Sequence, residues 1–448
     1  MSQLLADVLS RSAATLGGIF LLIATTFSLM RTVVVPRSLR SLISDAVAST
    51  VVAVAMGFSR LRRSYRWRDS VLAWVGPTIL LCQLLTWLLL FLVAYGLLIY
   101  GVGGRESLGD SMRQGGSSLL TLGFAAVNTE DQTVIDFLAA ATGPIVVALM
   151  IGFLPTIYST YLDREVEVSA LTTAGGEPAW GPELLSRFAV GGALDYLPGA
   201  FLSWSVWATR LRLTHHTYPV LIWVRSVRAR RHYAVTLLAL MDAAALRLAL
   251  QSAPPHREAF AVLVEGGHAM QILYESLFSR RSWAQRFGFM GQFDGESESM
   301  TRQIRRLPAW NRRLMALQVA SDIDTVRGLN ADAIHALAKG VEAPLQITRA
   351  EFDRAVDLLS RSGFPIDRDL DEAWEQFATA RARYEFAAYE VCRRLDVVPA
   401  PWTGPRRVPT PTMWPTSVLD VLEEPELGGG IALTEGDGPE GDGPGAPG

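Results

Sequence analysis

The chain has 448 residues, half of them hydrophobic and 19% charged, with a formal net charge of −3. An average soluble domain carries roughly 25% charged residues, and a dedicated nucleic-acid binder carries a basic surplus; the composition fits neither. The two cysteines, Cys82 in an apolar run and Cys392 in the polar C-terminal half, exclude a disulfide scaffold and a cysteine zinc site.

The charge deficit is local. Ala13–Met30 is uncharged, as are residues 71–100 and 137–161. A bilayer span needs about 20 apolar residues, so the three runs are read as membrane helices, the first as a retained helix and not a cleaved signal. Arg31, Arg37 and Arg40 follow the first run, and Arg60, Arg62, Arg63, Arg66 and Arg68 precede the second. The positive-inside rule places both clusters on the cytoplasmic side. Between them, Leu39, Leu42, Ile43, Ala46, Val47, Val51, Val54, Phe58 and Leu61 recur at helical spacing. This is an amphipathic helix expected on the inner membrane face, giving three crossings; the alternative has residues 42–58 cross as well, which puts Asp45 in lipid. Trp74, Tyr95 and Tyr100 are placed as interfacial anchors. The chain is expected to be a multi-pass protein of the inner (plasma) membrane with a cytoplasmic C-terminus.

Residues 101–136 are then external and carry the chemistry. Ser107 to Thr121 reads as a half-helix containing Gly115-Gly116, followed by Thr121-Leu122-Gly123-Phe124-Ala125 and some ten polar residues. Non-helical backbone at membrane depth is tolerated only where buried or lining a cavity. A half-helix with its C-terminus in the membrane aims about half a negative charge there, and the carbonyls of the next turn can replace a cation's hydration shell. Glu106, Asp110, Glu130, Asp131 and Asp136 outnumber Arg105 and Arg113 outside, which concentrates cations; Glu130 and Asp131 are the expected outer-mouth acids. In the next run, Gly143, Pro144, Gly152 and Pro155 are candidates for a gating hinge, since Pro and Gly are the usual causes of kinks; ordinary membrane-helix composition also supplies both residues.

Beyond Asp163-Arg164-Glu165 the chain reads as a helical cytoplasmic domain. Residues 234–251 are expected to form a core helix, because Asp242 and Arg247 interrupt the apolar run. Residues 299–320, 331–341 (with Asn330 as N-cap), 349–361 and 370–395 show helical spacing, and Thr348 with Glu351 forms a capping box. Residues 404–448, rich in Pro, Gly and acids, read as a disordered tail. His215, His216 and His232 are weighed as metal ligands or pH sensors against hydrogen-bonded histidines, and no carboxylate cluster completes a ligand set. Arg210, Arg212, Arg225, Arg228, Arg230 and Arg231, interleaved with Trp204, Trp207 and Trp223, suit anionic lipid or an oligomer interface. Glu265-Gly266-Gly267-His268 is no phosphate-binding fingerprint. No nucleophile–base pair or telling carboxylate pair marks an enzyme.

The segment Thr121–Ala125 resembles the filter of the potassium channels, T-V-G-Y-G or T-L-G-Y-G. From about residue 71 to 171 the chain is similar to bacterial two-transmembrane, pore-loop channels, including the exit Tyr161-Leu-Asp-Arg-Glu-Val-Glu-Val; Tyr218-Pro-Val-Leu and Pro401-Trp402 resemble the cytoplasmic part of some bacterial members. The resemblance implies an all-α membrane protein with a potassium-channel-like pore domain over residues 69–165: outer helix 71–100, pore helix 107–121, filter 121–125 and inner helix 137–161. Residues 1–68 precede it and 166–403 follow. It implies a homotetramer in membrane lipid that conducts a monovalent cation and holds no cofactor; a cytoplasmic ligand stays open. The filter departs from the pattern. Ala125 stands at the second Gly, where a left-handed backbone costs an L-residue roughly 1–2 kcal/mol; Ala126 replaces the following Asp, and Phe124 lacks the Tyr hydroxyl. Weak potassium selectivity is therefore expected, and the alternative function is a non-conducting, channel-derived membrane scaffold or sensor.

Overall fold

The computed structural model describes residues 2–35, 41–62, 64–103, 107–125, 130–252, 257–278, 345–405 and 410–418. Among these there are helices and no strands, with one isolated bridge between Glu177 and Trp414. The expected helices at 299–320 and 331–341, with Asn330, lie outside the described residues.

The first uncharged run lies in α1 (Ser2–Leu29), which continues as a short π-helical turn to Val34. An extended Ser41, its hydroxyl facing the Ser44 amide, starts α2 (Leu42–Ser59). Next come α3 (Tyr65–Ala73) and α4 (Val75–Val102), which meet at Trp74. Helix α1 runs antiparallel to α4. Arg11 donates to the carbonyls of Tyr100 (2.8 Å) and Gly103 at the end of α4, as a cation does for a helix C-terminus. Gly18 lets the Ala94 carbonyl lie 2.9 Å from where a Cβ would be. The Trp87 indole donates to Ser28 Oγ at 3.0 Å. Ser28–Ser41 (2.6 Å) and Thr32–Ser44 (2.8 Å) hydroxyl contacts then pin the start of α2. From there α2 runs back past the start of α4, with Val52 in a core with Leu72, Val75 and Ile79.

Helix α5 (Leu108–Leu119) and the 46-residue α6 (Glu130–Gly175) follow. Trp87, Phe91 and Tyr95 of α4, Leu119 of α5, and Ala139, Val146, Met150, Phe153 and Ile157 of α6 form one buried core. Tyr95 is therefore not an interfacial anchor: it is 3% exposed, with its hydroxyl 2.6 Å from Thr142 Oγ1.

The last turns of α6, through Val168 and Leu171, enter a second and larger core. It is built by α7 (Gly181–Val190), α8 (Leu197–Thr217), α9 (Tyr233–Leu250), α10 (Arg257–Phe278), α11 (Arg349–Arg361), α12 (Leu370–Ala382) and α13 (Glu385–Arg394). Among the described residues, five helical stretches are long and apolar enough to cross a membrane, including α1, α2, α3–α4, and α6. The fifth, α9, is 94% buried inside the protein and has no face left for lipid. Several long apolar helices mark a multi-pass membrane protein.

Arg381, fully buried, ties this second core together. It pairs with Asp242 of α9 and with Glu385 (3.1 Å), and donates to the Trp402 carbonyl at 2.8 Å. The expected helix 370–395 breaks at Arg383 and Tyr384. Burying Arg381 requires this turn, because Tyr384 Oη and Arg381 converge on the same Asp242 oxygen. The capping box at Thr348 and Glu351 forms as the spacing predicts. The tail expectation is corrected in part. Trp414 pairs with Glu177 through main-chain bonds in both directions, and Ser417 and Val418 donate to the Glu183 carboxylate.

Candidate functional site

Ser107 caps α5 as its sequence suggests, accepting from the Asp110 amide at 3.2 Å. The helix then runs back between α4 and α6. Met112 lies on Gly96, where a Cβ would strike its sulfur. A Cβ on Gly115 would lie 3.1 Å from the Gly96 amide nitrogen, and one on Gly116 would meet Leu92. From Met112 to Gly116, α5 thus moves along α4 from Gly96 to Leu92, about 6 Å at 1.5 Å per residue. On α6 its last carbonyl, that of Leu119, occupies the place of a Cβ on Gly143. Any residue but glycine at 143 would push the end of α5 away. Gly143 is therefore a close-contact glycine, whereas Gly152 has nothing near it. Pro144 and Pro155 lie inside one continuous helix.

Behind α5, Asp136 is 6% exposed and accepts from Gln114 Nε2 (2.7 Å) and Ser118 Oγ (2.6 Å). This corrects the expectation that it is an outer-mouth acid: a buried carboxylate needs such partners, and here it locks α5 onto α6. Glu130 and Asp131, in the first turn of α6, are exposed.

The segment after α5 wraps around one residue. The amides of Leu122 (2.7 Å) and Gly123 (3.5 Å) donate to the Ser117 carbonyl. The amides of Phe124 (3.0 Å) and Ala125 (3.2 Å) donate to its hydroxyl. Among the described residues, no donor reaches the carbonyls of Thr121 through Ala125. Positive φ falls on Thr121 (54°) and Gly123 (68°) but not on Ala125. The left-handed cost expected at Ala125 is thus absent; Thr121 bears it, and the alternation stops at Gly123. Leu122 (59%) and Phe124 (54%) are exposed, with the Arg113 guanidinium 5.3 Å from the Phe124 ring centre.

No family model, curated protein or solved structure matches this chain.

The site has a second part that the sequence reading passed over as a charged exit. Arg164, in the C-terminal part of α6, is buried. It donates to Glu165 Oε1 (2.9 Å), to the carbonyls of Leu221 (3.1 Å) and Val224 (2.8 Å), and faces His215 Nε2 at 3.3 Å. These carbonyls belong to Tyr218-Pro-Val-Leu and the residues just after it. Tyr218 packs edge-on against Phe153 of α6, Leu221 enters the membrane-helix core, and Val224 lies on Gly76 of α4. The joint between α6, α4 and the helical domain is therefore fixed through one guanidinium. The signal in the sequence was a charge at the end of a long apolar run.

His215 is buried, and burial, helped by Arg164, lowers its pKa well below the usual value. It is a neutral ring whose Nδ1 bonds the Leu211 carbonyl (2.9 Å). His232 caps α9 through the Ala234 amide. Neither stands in a metal cluster, and no group of three or more potential metal ligands occurs among the described residues. Most of the arginines expected to meet lipid are committed elsewhere: Arg225 to Asp69, Arg228 and Arg231 to Glu177, and Arg212 to Glu265. Trp204 and Trp207 are in the domain core.

Proposed function

We propose that this protein is a homotetrameric cation channel of potassium-channel-like plan, with α5 as pore helix, residues 121–125 as filter, and α6 as the inner helix that couples the pore to the cytoplasmic domain. The observation that carries the reading is the one-sided hydrogen bonding of the loop. Four successive amides, Leu122 to Ala125, turn onto Ser117, and among the described residues no donor reaches the carbonyls of Thr121 to Ala125. Unpaired carbonyls at membrane depth are costly unless they meet water or an ion, and carbonyl rings are how cations are stripped and passed. The C-terminus of α5, with its partial negative charge, ends where this segment begins.

One chain supplies one loop and cannot encircle an ion. Closed cyclic symmetry is the usual way to build a ring, and four loops would face one axis. The exposed apolar residues of the loop and of α6, Leu122, Phe124, Phe137, Ile145 and Ile151 among them, are the surfaces available to neighbours, axis and lipid. Discrimination of potassium from sodium is weak in this reading, because the left-handed alternation that orders a carbonyl ladder ends at Gly123. By the positive-inside rule, the arginines beside the spans favour a cytoplasmic C-terminal domain in this reading. Molecular mass in detergent and in nanodiscs tests the assembly: four subunits are expected, and a stable monomer or dimer would remove the reading.

A further inference from the structure

A cavity of about 1180 Å³ lies away from the loop. It lies between α2, the start of α4 and the helical domain, and runs the length of α2, from Ser41 and Ser44 to Arg60. One wall is aliphatic: Val52, Met56, Ile79, Leu80 and Phe153. The rim is basic, with Arg31, Arg60, Arg68, Arg393 and Arg394 set against two acids, Asp45 and Asp396.

The arginines are unevenly satisfied. Arg68 pairs with Asp396 at 2.7 Å, yet its Nε–H is buried without a partner. Arg393 pairs with Glu390 at 2.5 Å. Arg31 lies 5.9 Å from the Phe27 ring centre and has no ion pair among the described residues. Arg60 and Arg394 are exposed and, among the described residues, have neither an ion pair nor a side-chain hydrogen bond. These cations stand together at one cleft, beside an aliphatic wall formed by residues of α2, α4 and α6.

We propose that this cleft binds an anionic phospholipid, its phosphate among Arg60, Arg394 and Arg68 and its acyl chains along Ile79, Leu80 and Phe153. The chemistry at the rim is that of any phosphate monoester or diester; the aliphatic wall selects the lipid. A lipid seated there touches α2, α4, α6 and the Arg393-Arg394 end of the helical domain, so it bridges the membrane helices and the domain. The site does not depend on conduction.

Native mass spectrometry of the delipidated full-length protein tests this directly. The protein is titrated with short-chain phosphatidylglycerol, with the matched phosphatidylcholine, and with inorganic phosphate. Phosphatidylglycerol is expected to bind at least tenfold tighter than phosphatidylcholine. Each arginine near the membrane surface contributes about fivefold in affinity for an anionic lipid. Arg60→Gln with Arg394→Gln should therefore remove about 25-fold and abolish the preference, while Arg210→Gln, outside the cleft, leaves it intact. Neither cleft arginine holds a side-chain partner among the described residues, so the double variant is expected to keep its structure, which an unchanged melting curve checks. Equal binding of the two lipids, or a preference surviving the double substitution, would overturn the proposal. Displacement of phosphatidylglycerol by inorganic phosphate at similar concentration would assign the site to a soluble phosphate and overturn the lipid as its occupant.

Discussion

Replacing Ser117 by Ala tests the loop at the residue that gathers four of its amides. The residue is 2% exposed, and its hydroxyl accepts from the amides of Phe124 and Ala125. Its carbonyl, untouched by the substitution, holds Leu122 and Gly123. A hydrogen bond contributes a net of about 0.5–1.5 kcal/mol, so losing two costs about 1–3 kcal/mol of local stability. At 1.4 kcal/mol per tenfold, the amides of Phe124 and Ala125 should exchange with solvent deuterium about 5- to 150-fold faster. The Leu122 amide should change far less. Ser117→Thr keeps an oxygen and should stay near wild type. The assay is hydrogen exchange with peptide or residue resolution over 117–125 in nanodiscs. Unchanged exchange at 124 and 125, or an equal rise at all four amides, would refute the claim that the hydroxyl holds half of the loop.

Three further outcomes follow from the geometry. Gly143→Ala puts a methyl on the Leu119 carbonyl and should cost about 1–3 kcal/mol, as overpacking does. Gly152→Ala, with open space around it, should be neutral or gain up to about 1 kcal/mol of helix propensity; equal melting shifts for the two would contradict the close contact. Arg164→Met leaves the Glu165 carboxylate without its cation, with only the Ser226 hydroxyl, and removes the donor to the Val224 carbonyl; it should cost about 3–5 kcal/mol, while Arg164→Met with Glu165→Met recovers much of it; thermal unfolding in detergent separates them, and a double variant worse than the single would be contrary. His215 has a lowered folded pKa, so below its unfolded value of about 6.5 the unfolded chain binds the extra proton. Its contribution is present above that pH and lost as pH falls, by up to about 1.4 kcal/mol per unit. The stability difference between pH 7.5 and 5.5 should be smaller in His215→Gln than in the wild type, and an identical difference in both would contradict it.

The local grammar of the chain was readable. Charge-free runs gave α1, α4 and α6; Ser107 and Thr348 marked helix starts; Gly115-Gly116 announced a close helix crossing. What stayed hidden depended on partners distant in sequence. Asp136 looks like a mouth acid until α5 brings Gln114 and Ser118 to it. Tyr95 looks like an anchor until Thr142 is seen at its hydroxyl. The arginines around Trp223 read as lipid-binding because Asp69 and Glu177 are far away in the chain, whereas Arg60 and Arg394 drew no notice as a pair, being over 300 residues apart. The strain expected at Ala125 moved to Thr121, since the loop has an alternative path that the spacing of one motif cannot reveal.

The central claim is conduction through residues 121–125, and the most direct measurement is current across a planar bilayer holding the purified protein under bi-ionic potassium and sodium. The account predicts a cation current with a reversal potential near zero, reporting weak discrimination. Strong potassium selectivity would contradict the reading of the shortened alternation after Gly123. An anion current, or no current from correctly inserted tetramers, would contradict the channel itself and leave the non-conducting scaffold.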